Sequence, residues 1–252
     1  MKYTIAIPFK SFNFKLFERS CNSILLQSVK PNEIIFIDDS GEKNIAKKYL
    51  KKKLEKYNFK IIKNKKNIGV THSLNKAIVK AKNKLFFRLD IDDEWNVNHI
   101  KIYLHVIKKY PDYLFYANNV KYHNIINYLK LDNFMVTDNP FIHSSLLINL
   151  NIKKIFYKDL KPEDYGTISY YMRKGYQTFR IKKKTVIVND TPGSLGKSRG
   201  ANNDKDVTAA LNLKYLIRCI QKEVRIFLKI RLILIYLKIL IINKIYSWSI
   251  ID

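Results

Sequence analysis

Two acidic clusters contain the residues best suited to do chemistry. Asp38-Asp39-Ser40 follows the hydrophobic run Glu33-Ile34-Ile35-Phe36-Ile37, and Asp90-Ile91-Asp92-Asp93 follows Lys84-Leu85-Phe86-Phe87-Arg88-Leu89. In open α/β sheets, ligands bind in the crevice beyond the carboxyl ends of parallel strands. If the two runs are neighbouring parallel strands, the acids converge on that edge. In a chain with a formal net charge of +26, carboxylates gathered in one place serve to hold a cation or to accept hydrogen bonds from a substrate. Asp38 and Asp39 are short acids at a rigid strand end. There a carboxylate can accept the N3–H of a uracil ring or the hydroxyl protons of a ribose; the alternative is that one of them, or Ser40, caps the next helix. Asp90 and Asp92, two residues apart, can share one divalent ion, and oxygen ligands select Mg²⁺ or Mn²⁺. Asp93 extends that acidic set, although Asp93 and Glu94 also suit the first turn of a helix.

Such residues need strands and helices in alternation, and the chain supplies them. Strand patterns are predicted over residues 3–7, 34–37, 59–62 and 85–89, with amphipathic helices over 14–27, 44–57 and 71–80 between them. That order implies βαβ units and a mostly parallel sheet. After Asp93 the pattern changes: a helix over 97–109 stops before Pro111, strands are expected over 113–122, 144–148 and 185–188, and a helix spans 163–174 between Pro162 and Gly175. Residues 123–142 read as irregular, and 191–206, rich in Gly, Ser and Asn, as a mobile loop.

With 252 residues, 47% hydrophobic and 13% aromatic, the chain is long enough and apolar enough for a folded α/β domain plus an added element. The positive charge favours polyanions, whether nucleic acid, anionic lipid or phosphorylated substrates. Abundant Lys, Asn, Ile and Tyr are equally the mark of AT-rich coding. The two cysteines, Cys21 and Cys219, fit no metal-ligand spacing, so a reducing cytosol is expected. The apolar run at the N-terminus is too short for a signal peptide and reads as the first strand.

Four pieces, in order and at the right spacing, resemble family 2 glycosyltransferases. They are the opening strand with Ser23-Ile24-Leu25-Leu26-Gln27-Ser28; Glu33 through Ser40; Asn67-Ile68-Gly69 followed by Leu74-Asn75-Lys76-Ala77-Ile78; and Leu89-Asp90-Ile91-Asp92-Asp93-Glu94-Trp95, which is similar to that family's metal-binding signature. The likeness runs over about residues 1–190. It implies a GT-A fold, a Rossmann-like mostly parallel sheet flanked by helices, and an inverting transfer from a nucleotide sugar. By the same resemblance Asp39 contacts the base, and Pro8, Asp38, Asn67, Gly69, Asn75, Asp90 and Ile91 line the nucleotide-sugar site. Asp90, Asp92 and Asp93 surround the Mn²⁺ or Mg²⁺. Pro162-Glu163-Asp164-Tyr165 matches the family's acidic pair at a helix start. This makes Asp164 the base that takes the acceptor's hydroxyl proton, with Glu163 holding the acceptor or Asp164 itself. His143 and Trp95 are expected at the acceptor.

The chain also departs from the pattern. Leu74 precedes Asn75 where many relatives have Arg, leaving Arg88 or Lys10 as substitutes at the diphosphate. No His follows Asp164, so a late His metal ligand is ruled out. The stretch 193–200 resembles a phosphate loop only faintly and reads better as a basic lid.

The expected organisation is a catalytic domain over 1–212, with a nucleotide-binding half over about 1–95 and an acceptor half over about 96–212, followed by a tail over 213–252. In the tail, Lys214, Arg218, Lys222, Arg225 and Lys229 fall on one helical face. The apolar run 232–242 is interrupted by Lys238 and is too short for a transmembrane span. A basic amphipathic helix of this kind suits an anionic membrane surface, which would place the enzyme at the inner face of the cell membrane. The alternative is that it packs on the catalytic domain or joins copies of the chain as a homo-oligomer. The expected function is transfer of a sugar, from a UDP-linked donor, to a surface polysaccharide or lipid-linked glycan. A nucleic-acid-binding protein, suggested by the charge and 17 tyrosines, leaves the strand-end acids unexplained and has no recognition motif. An inactive glycosyltransferase-like scaffold would have no need of the intact acids.

Overall fold

The structure, a computed structural model, describes residues 1–42, 45–118, 141–158, 163–172, 174–189 and Ile233. The chain divides into two compact units. The first comprises Met1–Val120, Phe141–Asp159 and Tyr176–Thr191, and the second comprises Lys121–Pro140, Leu160–Gly175 and Pro192–Asp252. The basic loop over 193–200 and the tail, Ile233 apart, lie outside the described residues. Among the described residues no helix is long and apolar enough to cross a membrane.

The first unit opens with β1 (Tyr3–Phe9), α1 (Phe14–Leu25), β2 (Glu33–Asp38), α2 (Ile45–Lys53), β3 (Phe59–Lys63), α3 (Val70–Lys80) and β4 (Leu85–Arg88). It continues with β5 (Glu94–Trp95), α4 (His99–Lys109), β6 (Phe115–Asn118), a 3-10 turn (His143–Ser145), β7 (Leu147–Asn149), β8 (Thr178–Ile181) and β9 (Val186–Ile187). Seven strands form one sheet in the order β3-β2-β1-β4-β7-β6-β8. All run the same way except β7, which is antiparallel to both its neighbours. The mostly parallel sheet expected from the alternating pattern is therefore present. β2, β4 and β6 are buried along their whole length, which is why they read as unbroken apolar runs. β5 and β9 form a separate antiparallel pair.

Local chemistry sets the element ends. The Asn13 side chain accepts from Leu16 N at 3.2 Å and caps α1, while Phe17, Cys21 and Ile24 bury its inner face. In the second unit, α5 (Glu163–Met172) stops before Gly175, whose φ of +91° no β-carbon opposes. Three features depart from the predicted elements. The strand expected over 144–148 begins as a 3-10 turn, because Ser145 N and Leu146 N donate back to Ile142 O and His143 O. β5 is too short for any period to show. β8 went unread because Thr178-Phe179-Arg180-Ile181 has the flanking polarity of a loop and lies at the sheet edge, paired only with β6.

The register around β1 positions both acidic strand ends. Ala6 pairs with Arg88 of β4, and Phe9 pairs with Asp38 of β2. Leu89 N donates to Ala6 O at 3.0 Å, and Asp39 N to Phe9 O at 2.8 Å. Strand order reverses at β1, so the crevice beyond its carboxyl end is the topological switch point.

Beneath that end lies an aromatic core. Phe87 on β4 meets Tyr3, Trp95, His99 and Tyr103. His99 is fully buried and stacks on Trp95, with centroids 4.3 Å apart at 12°. Its Nδ1 lies 2.7 Å from Thr185 Oγ1, and that hydroxyl donates to Asn118 Oδ1 at 2.5 Å. Because Asn118 Nδ2 donates to Ile181 O and Lys183 O, its Oδ1 must be the acceptor, so His99 Nδ1 carries the proton it gives to Thr185. Burial pushes the His99 imidazolium down to about 3. The folded value lies below the unfolded one, about 6.5, so the unfolded chain binds the extra proton. The penalty is absent above about pH 6.5 and grows as pH falls towards 3, at up to about 1.4 kcal/mol per pH unit. Melting temperatures of His99→Gln should therefore fall less steeply than wild type between pH 7 and pH 5. Parallel curves would mean that His99 does not set the acid sensitivity.

Candidate functional site

At the end of β2, Asp38 turns its carboxylate to its own chain: Oδ1 accepts from Ser40 N at 3.0 Å and from the Ser40 hydroxyl at 2.5 Å, a local Asx turn. Asp39 is buried and reaches further. Its Oδ1 accepts from Asn64 Nδ2 at 2.9 Å and Ile68 N at 2.8 Å, and its Oδ2 from Gly69 N at 2.9 Å. Asn64, just past β3, also donates to Ser73 Oγ on α3 at 2.9 Å and accepts from Lys76 Nζ at 2.7 Å. Asp39 therefore fastens the loop between β3 and α3 to the end of β2. Gly69 turns that loop into α3 at a φ of +82°, a left-handed conformation that glycine adopts freely. The Asn67 side chain accepts from Gly69 N at 3.1 Å.

Sequence reasoning missed Asn64. Its only signal is being the one uncharged residue in Lys63-Asn64-Lys65-Lys66. Asn75, expected at the donor, uses both ends of its amide on Tyr157: Oδ1 accepts from Tyr157 N at 2.7 Å and Nδ2 donates to Tyr157 O at 3.0 Å.

At the end of β4, buried Arg88 forms a bidentate ion pair with Asp90, Nε to Oδ1 at 2.7 Å and Nη2 to Oδ2 at 3.1 Å. Arg88 is thus committed to Asp90. His143 Nδ1 lies 4.0 Å from Asp90 Oδ2, which places His143 beside the acidic turn. Ser144 is the hub beneath. Its hydroxyl accepts from Asp90 N at 3.0 Å and donates to Asp93 Oδ2 at 2.5 Å, and its carbonyl accepts from Trp95 Nε1 at 2.6 Å. Trp95, expected at the acceptor, is only 3% exposed, with its ring against Phe87 and His99. Asp93 Oδ1 accepts from Asn189 N at 3.2 Å, so both Asp93 oxygens are engaged. Burial, then the neighbouring Asp90 charge, pushes its carboxyl up to about 6.

Asp92 differs from its neighbours. No other described residue hydrogen-bonds its carboxylate, while burial and then the charge of Asp90 raise its pKa. A divalent cation fits this set: hard oxygen donors, one carboxylate left unfastened, and like charges that a cation would compensate. Ile91 is half-buried between the two acids, and Pro8 on β1 pairs with Ile37.

In the second unit, Glu163 and Asp164 form the first turn of α5 and both are buried. The amino end of a helix favours ionised carboxylates. The first unit thus offers acceptors for a polar ligand at the end of β2, and carboxylates able to hold a cation at Asp92 with Asp90.

The Asp39 network makes a testable demand. In Asp39→Asn, an amide group would face the donors of Asn64, Ile68 or Gly69. Amide exchange at Ile68 and Gly69 should accelerate at least about tenfold, with a loss of stability of about 1–3 kcal/mol. Unchanged protection at both amides would show that the loop does not depend on Asp39.

The chain matches the family model described as Glycosyl transferase family 2 over residues 4–180. No curated protein sequence matches it. Among solved structures it is similar to S. aureus TarS 1-349 in complex with UDP-GlcNAc, with a TM-score of 0.63 at 16% identity, over 95% of this chain and 72% of that one. It is also similar to the mannosyltransferase PcManGT from Pyrobaculum calidifontis in complex with GDP-Man and Mn²⁺, with a TM-score of 0.64 at 14% identity, over 88% of this chain and 65% of that one. These likenesses concern the fold, the mostly parallel seven-stranded sheet flanked by helices of the GT-A type. Because the family match contains both strand-end acidic clusters and the Glu163-Asp164 pair, the chain belongs to glycosyl transferase family 2.

Proposed function

We propose that the protein is an inverting glycosyltransferase that moves a sugar from a nucleoside diphosphate donor, UDP-linked by expectation, to a surface polysaccharide or lipid-linked glycan. The observation that carries this reading is the register at β1. Phe9 pairs with Asp38 and Ala6 with Arg88, so Asp38-Asp39 and Asp90-Ile91-Asp92 flank the same strand end. The complexes of TarS with UDP-GlcNAc and of PcManGT with GDP-Man and Mn²⁺ support a nucleotide-sugar donor.

In this reading Asp39, which also fastens the loop of Asn67 and Gly69, contacts the base, and Asp38, Asn67, Gly69 and Asn75 receive the rest of the nucleotide sugar, with Pro8 and Ile91 lining its bed. Asp92 and Asp90 would hold Mn²⁺ or Mg²⁺, which when bound acts as a Lewis acid on the departing diphosphate. Lys10 adds positive charge near that group, while Arg88 is engaged by Asp90. Asp164 takes the acceptor hydroxyl's proton, and Glu163 orients it. Asp164, in the first turn of its helix, removes the proton late, as the hydroxyl acidifies. His143, beside Asp90, stands where the acceptor meets the donor. The catalytic domain extends to about residue 212, and the basic tail rests on an anionic membrane at the inner leaflet.

A thermal-shift panel of UDP- and GDP-sugars, with and without Mn²⁺, tests the donor reading, since ligands of the folded state raise its melting temperature. Asp92→Asn should abolish transfer with the fold intact and leave donor binding insensitive to Mn²⁺. Wild-type turnover with unchanged Mn²⁺ dependence would remove Asp92 from the metal site. Asp164→Asn should lower kcat by roughly a hundred- to ten-thousand-fold with little change in donor affinity. Normal turnover in that variant beside a dead Glu163→Gln would transfer the role to Glu163.

A further inference from the structure

The turn over residues 90–94 concentrates four carboxylates in five residues, Asp90, Asp92, Asp93 and Glu94. Such a turn cannot hold its shape by itself, because its acids repel one another and its backbone carbonyls need donors. Ser144 and Arg88 tie down Asp90 and Asp93. The backbone at Asp92, whose carboxylate is the unfastened one, is held by two distant segments. Arg19 of α1 donates from Nη2 to Asp92 O at 2.8 Å, and its Nε lies 3.4 Å from Glu94 Oε1. Asn189 donates from Nδ2 to Asp92 O at 3.0 Å and to Glu94 Oε1 at 3.1 Å, and from its backbone N to Asp93 Oδ1 at 3.2 Å.

The place of Asn189 is set by strand pairing. β5 and β9 are antiparallel, with Glu94 opposite Ile187 and Trp95 opposite Val186. Carried two residues further, that register sets Asn189 opposite Asp92. An amide at this position supplies two N–H donors from one nitrogen without adding charge, and here both are used on the turn. An aspartate of the same shape would have acceptors only, facing a carbonyl and Glu94.

We infer that Asn189 is a positioning residue for the cation-binding turn, fixing the Asp92 backbone so that the Asp92 carboxylate points in one direction. This rests on the reading of Asp92 and Asp90 as the donor-site cation ligands. Hydrogen-bonding partners of metal ligands commonly change metal affinity by about 10–100-fold.

The test uses the full-length protein with Mn²⁺ and UDP as probes. Bound Mn²⁺ is measured by loss of the free-ion paramagnetic resonance signal, in wild type, Asn189→Ala, Asn189→Asp and Arg19→Gln. Asn189→Ala should bind Mn²⁺ at least about tenfold more weakly, with a melting temperature close to wild type because Asn189 is only partly buried. Excess Mn²⁺ should restore most of kcat in Asn189→Ala, which a purely structural defect would not allow. Asn189→Asp should be weaker still, despite its matching shape. Arg19→Gln, which keeps an uncharged donor near the Asp92 carbonyl, should lose less than Asn189→Asp. If Mn²⁺ affinity in both Asn189 variants equals wild type, the positioning role is overturned while the cation reading stands. If wild type binds no Mn²⁺ with or without UDP, the cation reading fails and this inference fails with it.

Discussion

Parallel pairing of β1 with β2 on one side and β4 on the other is the constraint on which the other features depend. Neighbouring strands lie about 4.8 Å apart, so the ends of β2 and β4 stand about 10 Å apart across β1. The register then decides which residues occupy those ends. Asp38 is level with Phe9, and Arg88 is level with Ala6, so each acidic cluster leaves its strand at the same edge. A shift of one residue in either ladder would turn the side chains of that strand to the opposite face. The full burial of β2 and β4 makes such a shift costly.

Polar groups beneath that edge are buried only where they are tied. Asp39, Asn64, Ser73 and Ser144 are all nearly inaccessible, and each has partners on a different element. An unpaired buried polar group costs about 1–3 kcal/mol, so these networks tolerate few alternative arrangements. Asp39 secures the amides of the β3–α3 loop, and Ser144 secures the turn after β4. The loops at this edge are thus tied to the sheet without belonging to it.

Charge is handled locally, although the chain as a whole is strongly basic. Among the described residues, the basic side chains tied to the acidic turn are Arg88 and Arg19. Arg88 neutralises Asp90, and Arg19 with Asn189 holds Glu94 and the Asp92 carbonyl. Among the described residues none fastens the Asp92 carboxylate, and its raised pKa records the cost of burial and of the Asp90 charge. That residual cost is what a cation at this position would relieve.

The two acidic clusters and the alternation of strands and helices were legible in the sequence because each depends on residues close together in the chain; that β1 lies between β2 and β4, which are therefore not neighbours, was not. Hydrophobic runs bounded by acids need no distant partner to be recognised, and the family resemblance rests on the same local stretches. Edge strand β8, the two-residue strand β5 and the 3-10 turn before β7 were not legible, since their form is imposed by neighbours far away in sequence. The roles of particular side chains divide in the same way. That Asp39, Asp90 and Asp92 stand at strand ends follows from the sequence alone. That Asp39 fastens a loop, that Trp95 is core, that Asn75 clasps Tyr157, and that Asn64, Ser144 and Asn189 matter at all was decided only by the tertiary structure. Hydrogen bonds between residues 25 to 97 positions apart leave no periodic trace in a chain; they exist only once the sheet has brought their donors and acceptors within 3 Å or so.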